Sequence, residues 1–180
     1  MANTNPAGIQ VVTRILADPV RMYLPSSYWN KARDWFIYPM DFNTLNASGN
    51  TVGTFNVQND SDFLCLSLYA AAATLTGGLV ELTYWPFLIS INDSSSGANW
   101  FGTDNLNQGV ASFTHLQNVA GRLSWGTSAA GGVSGVLEHP RFIPRAATVT
   151  VTINNLSANA NRLWLAFRGL KLYDALRQGA

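Results

Sequence analysis

Side chains that could carry out acid–base or nucleophilic chemistry are few in this 180-residue sequence. Its only histidines are His115 and His139, and we interpret both as surface or capping residues, His139 because it precedes a proline in an apparent loop. The stretch around Ser128 lacks the final glycine of a nucleophile elbow. With Glu81 and Glu138 as the only glutamates, a glycosidase would have to rely on aspartates. We therefore predict that the protein is not an enzyme.

Groups that could hold a metal ion or a cofactor are equally scarce. Asn59-Asp-Ser-Asp62 could offer oxygen atoms to Ca²⁺, but its spacing is not that of a calcium loop, and a turn-and-cap role is the stronger interpretation. The one cysteine, Cys65, lies in an apolar run and is interpreted as a core residue, so no zinc set and no intramolecular disulfide can form. The glycines at 131–135 have no lysine for a phosphate loop. We expect no cofactor and no metal.

Aromatic side chains are the remaining functional candidates. Trp164 lies between Arg162 and Arg168 on the polar side of an alternating run. Tryptophan and arginine are typical anchors of protein interfaces, and they can also stack on sugars or bases. We interpret Trp164 as a candidate subunit-interface residue and most other aromatic residues as core.

The elements that must position these residues are β-strands. In residues 148–153 threonines alternate with Val149, Val151 and Ile153, which is typical of half-buried antiparallel strands. Similar runs recur along the chain, with turn-rich segments between them. The pattern predicts an all-β protein, an antiparallel Greek-key or jelly-roll sandwich of about eight strands. The predicted strands are 35–41, 51–58, 62–71, 79–92, 109–116, 121–125, 146–156 and 162–172.

Two strands carry irregularities. The apolar residues of the last strand change from odd to even numbers at Gly169, which predicts a β-bulge there. Pro86 interrupts 79–92, which predicts an edge position or a bend between two strands.

The first 34 residues differ from the rest, which forms the sandwich domain 35–180. Their prolines favour an extended N-terminal arm, and exposed aromatic residues on such an arm need a surface to dock on. Two interpretations stay open: the arm lies over its own domain, or it reaches a neighbouring subunit. The candidate contact residues are Arg14, Arg21, Tyr23, Tyr28 and Trp29.

Charge excludes some partners. The net charge of +1 argues against binding to nucleic acid or to an anionic membrane. No lysine or arginine occurs between Arg33 and Arg122, whereas seven of the eleven basic residues lie from Arg122 onward. Either the fold interleaves the two halves and the charges pair, or the molecule has acidic and basic patches suited to ordered contacts.

Four motifs, in this order, resemble elements of small structural proteins from tailed-bacteriophage heads. Phe55-Asn-Val-Gln-Asn-Asp-Ser-Asp-Phe63 resembles an F-x-I-Q-x-D-S-D-F element, and the segment 87–101 is similar to a strand followed by D-x-x-S-G. The segments 139–157 and 168–173 resemble the closing hairpin of these proteins. The resemblance covers residues 55 to 173. It implies a jelly-roll capsid cement (decoration) protein, located on the virion and made in the host cytoplasm.

The resemblance also implies partners. Cement proteins bind the major capsid protein on the outer surface of the shell and are often homotrimers, so we expect self-association, no nucleic acid and no membrane. Two alternatives remain: a neck, tail or fibre-attachment component, or a carbohydrate-binding jelly roll that uses Trp100 or Trp164.

Overall fold

The computed structural model describes residues 22–97, 99–101, 113–122 and 135–174, which form an all-β sandwich of two sheets. Short connections separate the strands, apart from a 3₁₀ turn at Ser26–Tyr28 and a single helical turn, α1, at Leu116–Val119. None of the described helices has the length and apolar character needed to span a bilayer. The strands are β1 (Ala32–Leu45), β2 (Asn50–Asn56), β3 (Ser61–Thr74), β4 (Val80–Glu81), β5 (Phe87–Asp93), β6 (Thr114–His115), β7 (Gly121–Arg122), β8 (Val136–Ile143), β9 (Thr148–Asn155) and β10 (Asn161–Tyr173).

The first sheet is built on three long antiparallel strands in the order β1, β10, β3. Three short strands share the other edge of β3: β8 pairs with residues 63–67, β7 with Tyr69 and Ala70, and β4 with Ala73 and Thr74. The β3–β7 pair is parallel and the other described pairs are antiparallel. At the opposite edge, β10 is the only described strand that pairs with β1.

The second sheet has the order β2, β9, β5, β6. Its central strand β9 follows the predicted alternation, because Val149, Val151 and Ile153 are fully buried while the threonines between them are half-exposed. The expected closing hairpin is wrong: β9 and β10 are consecutive in the chain but belong to different sheets, so the chain crosses the sandwich between them.

The hydrophobic core lies between the two sheets. It joins Phe63 and Phe167 of the first sheet to Phe87 of the second, all with no exposed surface. Tyr38 of β1 stacks on Phe55 of β2, with 4.8 Å between the ring centroids. Each fully buried side chain of this size contributes about 2 kcal/mol of transfer free energy, so the interior faces of the strands stabilise the sandwich.

Most predicted strands are confirmed where the structure describes them, although 109–112 and 123–125 of two predicted strands lie outside the described residues. The run 79–92 is divided between β4 of the first sheet and β5 of the second, as the bend predicted at Pro86 requires. The interpretation of His139 as a loop residue is wrong, because it lies in β8. The loop interpretation rested on Pro140, because proline is uncommon inside strands. Pro140 lies where β8 leaves the regular ladder, between the pairs Cys65–Arg141 and Ser67–Val136, so no hydrogen bond is lost there.

The bulge predicted at Gly169 is on the neighbouring strand. Arg168 lies opposite Ser67 and Gly169 opposite Cys65, so the extra residue is Leu66 of β3. Gly169 itself is required because a Cβ there would lie 2.0 Å from the Leu64 carbonyl oxygen of the bulged strand. The alternation of β10 against β1 continues unbroken through Gly169.

Three of the described ion pairs join acidic residues of the first half of the sequence to basic residues of the second half. Arg162 pairs with Asp41, Arg145 with Asp62, and Lys171 with Asp60. Antiparallel pairing therefore brings the acidic first half against the basic second half, as the interleaving interpretation predicts.

Candidate interaction surface

Residues 22–31, here called the docked segment, fold over the outer face of the first sheet. Leu24 is buried with Leu64, Leu170 and Leu172 in a cluster separate from the main core. The Tyr28 ring meets Phe142 edge-on, with 5.0 Å between the centroids. This second cluster explains why the apolar residues of β10 change to even numbers at its end, which is the pattern that suggested a bulge: Leu170 and Leu172 lie on the outer face that the docked segment covers.

A buried carboxylate fixes the docked segment to the sheet. The Tyr28 hydroxyl donates to Asp62 Oδ2 at 2.5 Å, and the Arg145 backbone N–H donates to Asp62 Oδ1 at 2.8 Å. Burial disfavours ionisation of Asp62, but these hydrogen bonds and the Arg145 guanidinium outweigh it and lower the pKa of the carboxyl. Burial and the hydrogen bond to Asp62 together raise the pKa of Tyr28 to about 12. Tyr28 thus remains a neutral donor at physiological pH.

A second carboxylate extends this network to the end of β10. Asp174 accepts from Lys31 Nζ at 2.6 Å and pairs with the Arg145 guanidinium at 2.7 Å. Hydrogen bonds from Lys31 and Arg145 lower the pKa of Asp174. The Lys31 ammonium also lies 3.8 Å from the Tyr28 ring centroid. A single exposed ion pair contributes at most about 1 kcal/mol to stability. Here, however, Arg145 binds both Asp174 and the buried Asp62 carboxylate, so the ion pairs form one network.

The predicted arm residues therefore have different environments. Arg14 and Arg21 lie outside the described residues. Tyr28 is occupied by contacts within its own domain, whereas Tyr23 and Trp29 are 43% and 44% exposed. Next to them Met22 is 76% exposed, a residue that the sequence analysis missed. β1 begins at Ala32, so the last three residues of the predicted arm are part of a strand.

The outer face of β1 and β10 continues this exposed apolar surface. Trp35 is 63% exposed and Ile37 51%, and Trp35 lies opposite Leu170, which Leu24 covers. The Arg168 guanidinium lies 5.0 Å from the centroid of the Trp35 ring. We call Trp35, Ile37 and Arg168 the Trp35 patch; with Phe36 they line a shallow depression of about 350 Å³. The signal in the sequence is that β1 is apolar at both odd and even positions, which a solvated outer face does not require.

Trp164 lies on the same outer face but is half-buried, opposite Ala71 of β3. The Arg162 guanidinium covers its ring at 4.5 Å and is itself held by Asp41, with Nη2 2.5 Å from Oδ2. The structure thus places the predicted interface residue beside an arginine whose charge is paired.

A second apolar patch lies at the opposite edge of the first sheet. Leu79, Val80 and Tyr84 are 58%, 59% and 56% exposed, and Glu81 is exposed among them. β4, which contains two of these residues, pairs with the far end of β3. We call Leu79, Val80, Glu81 and Tyr84 the Tyr84 patch. The sequence analysis read this run as an ordinary strand and missed the patch.

Of the residues considered for chemistry, Ser128 and most of the glycine-rich segment 131–135 lie outside the described residues. Both histidines are exposed on the first and second sheets, in β8 and β6. Asp62 and Asp93 are buried and hydrogen-bonded. In the described part of the chain, no three His, Cys, Asp or Glu side chains are grouped so as to hold a metal ion.

Asp93 stabilises the turn that follows β5. Its carboxylate accepts from the backbone N–H and hydroxyl groups of Ser95 and Ser96 and from the Trp100 indole at 3.0 Å. Burial opposes ionisation, but these donors outweigh it and lower the pKa of Asp93. Trp100 is 5% exposed, so the structure contradicts its use as a sugar-stacking residue.

Comparison of the chain with protein-family models, with curated proteins and with solved structures found no match.

Proposed function

We propose that this protein is a capsid cement protein, which binds the outer surface of a viral shell built by a major capsid protein and clamps neighbouring subunits. The observation that carries the proposal is the docked segment. It holds Met22, Tyr23 and Trp29 exposed next to Leu24, which is buried against the outer face of the first sheet. Exposed aromatic residues on an ordered segment are typical of binding sites, since they offer a large contact area at low entropic cost.

The arrangement of strands agrees with the proposal. We infer a jelly-roll topology, because the orders β1-β10-β3-β8 and β2-β9-β5-β6 are those of two Greek keys wrapped into a sandwich. The sequence motifs that resemble phage head proteins support the same inference. A fold of this kind serves many functions, so the surface rather than the topology carries the functional argument.

Quantification of the protein in purified virus particles tests this function. A cement protein is expected at a copy number close to that of the major capsid protein. A copy number of only a few per particle would instead favour a neck, tail or fibre-attachment component, and absence from particles would reject both.

One observation favours a carbohydrate-binding module as a second candidate. Trp35 presents a largely exposed ring beside Arg168 and a shallow depression, which is suited to stacking on a sugar. This candidate predicts saturable binding of the isolated protein to a glycan array. Binding should be lost in Trp35→Ala and kept in Trp100→Phe, since Trp100 is buried.

A further inference from the structure

The Trp35 patch and the Tyr84 patch lie at opposite edges of the first sheet. The Trp35 patch is on β1 and β10, and the Tyr84 patch is on β4 and the connection that follows it, beyond β3. The two patches contain similar numbers of large apolar side chains, two in the first and three in the second. Each of these side chains is more than half exposed. Neither patch is covered by any described part of the same chain.

The two patches also carry opposite charges. The Arg168 guanidinium stacks on Trp35 and, within the described ranges, has no carboxylate at ion-pair distance. Glu81 likewise joins none of the described ion pairs, which use Asp41, Asp60, Asp62 and Asp174 instead. A stacked guanidinium keeps its N–H donors available for a carboxylate, and an arginine–carboxylate pair can be bidentate.

We propose that the Trp35 patch of one copy binds the Tyr84 patch of a second copy. Arg168 pairs with Glu81 of the neighbour, and the apolar side chains of the Tyr84 patch cover Trp35, Ile37 and the depression beside them. Because the two patches differ, the contact is heterologous. A heterologous contact forms a ring when the rotation between neighbouring copies closes and an open filament when it does not, and the assembly proposed here is a closed ring of three or more copies.

Side chains rather than backbone groups carry this contact. The edge of β1 could in principle pair with another strand, but Pro39 lies in the middle of it. Proline has no N–H to donate, and it blocks the addition of a strand at such an edge. The outer faces of Trp35 and Ile37 remain accessible beside it.

Charge reversal tests the proposal on the isolated full-length protein, independently of any shell. The single variants Arg168→Glu and Glu81→Arg place like charges opposite each other and should raise the apparent dissociation constant of self-association at least about tenfold. The double variant restores opposite charges in exchanged positions and should recover the assembly. Thr54→Glu, which adds the same charge at an exposed position of β2 in the other sheet, should assemble as wild type does.

The mass in solution is measured by light scattering over a range of concentrations, with circular dichroism to verify folding. The proposal predicts a wild-type mass that reaches a plateau at three or more chains. A monomer or dimer at every concentration, growth without a plateau, or a double variant that stays dissociated would overturn it. If either reversal impairs folding, the milder variants Arg168→Gln and Glu81→Gln replace the two reversals. If these variants assemble as strongly as the wild type, the proposal is contradicted.

Discussion

At the scale of single residues, the motifs that resemble phage head proteins consist largely of groups that fix the fold. Asp62 in the first motif binds the docked segment and the turn after β8, and Asp93 in the second holds its own turn and Trp100. Gly169 in the fourth lies where the bulged β3 backbone leaves no space for a Cβ. These motif residues therefore have structural roles, and the motifs predict the fold better than the function.

Replacement of Asp93 by asparagine should destabilise the protein at neutral pH by about 2 kcal/mol. The amide has one acceptor oxygen in place of two, so buried donors lose their partner. The pKa of Asp93 is lower in the folded state, so its stabilisation is complete above the unfolded pKa, near 3.8, and is lost as the pH falls below that value.

Urea unfolding at pH 7 and pH 3 measures both effects. The wild type should lose more stability than Asp93→Asn over this interval, because the variant has no carboxylate to protonate. An equal loss in the two proteins would show that Asp93 contributes nothing to acid sensitivity.

Gly169→Ala should destabilise the sandwich by about 3 kcal/mol or more, because the new Cβ meets backbone atoms that cannot move without disturbing β3. Gly53→Ala is the comparison and should cost less, since the nearest atoms to its Cβ are side-chain atoms of Met40 and Phe42 at 2.8 and 2.9 Å rather than backbone atoms. Thermal unfolding of the two variants, together with soluble yield, compares them. A control as unstable as Gly169→Ala would contradict this explanation.

At the scale of elements, the sequence predicted the long strands and missed what covers them. Alternation located β9 and most of β10 because one face of each strand is buried and the other is not. It could not assign the end of β10, where the docked segment buries the outer face too. It also missed the Trp35 patch, since exposure of an apolar side chain depends on which elements lie next to it in space.

Tyr28→Phe should weaken attachment of the docked segment. The substitution keeps the ring against Phe142 but removes the hydroxyl donor of the buried Asp62 carboxylate, at a cost of about 1 to 3 kcal/mol. Tyr23→Phe is the control, because that side chain is exposed and the loss of its hydroxyl should leave stability unchanged.

Hydrogen exchange of the amides at 22–31, combined with chemical unfolding, reports the effect. Faster exchange there in Tyr28→Phe alone is the expected result. Unchanged exchange in both variants would contradict the role of Tyr28 as the anchor of this segment.

At the scale of the whole molecule, three ion pairs between the acidic and basic halves neutralise part of the charge asymmetry seen in the sequence. What remains is a surface of small, separate features: the exposed side chains of the docked segment, the Trp35 patch and the Tyr84 patch. Such a surface suits a protein that makes many moderate contacts within an assembly, where repetition supplies the overall strength. The periodicity of the sequence predicts the sandwich. It does not predict these patches, because the exposure of their residues depends on which elements the tertiary structure places beside them.

Co-sedimentation with shells assembled from the major capsid protein alone tests the central claim most directly. The account predicts saturable binding of the wild type at many copies per shell. Binding should weaken strongly when Tyr23 and Trp29 are both replaced by alanine, and it should be unchanged in Val52→Ala, which removes an exposed apolar side chain from the other sheet. Failure of the folded wild-type protein to sediment with the shells would contradict the account.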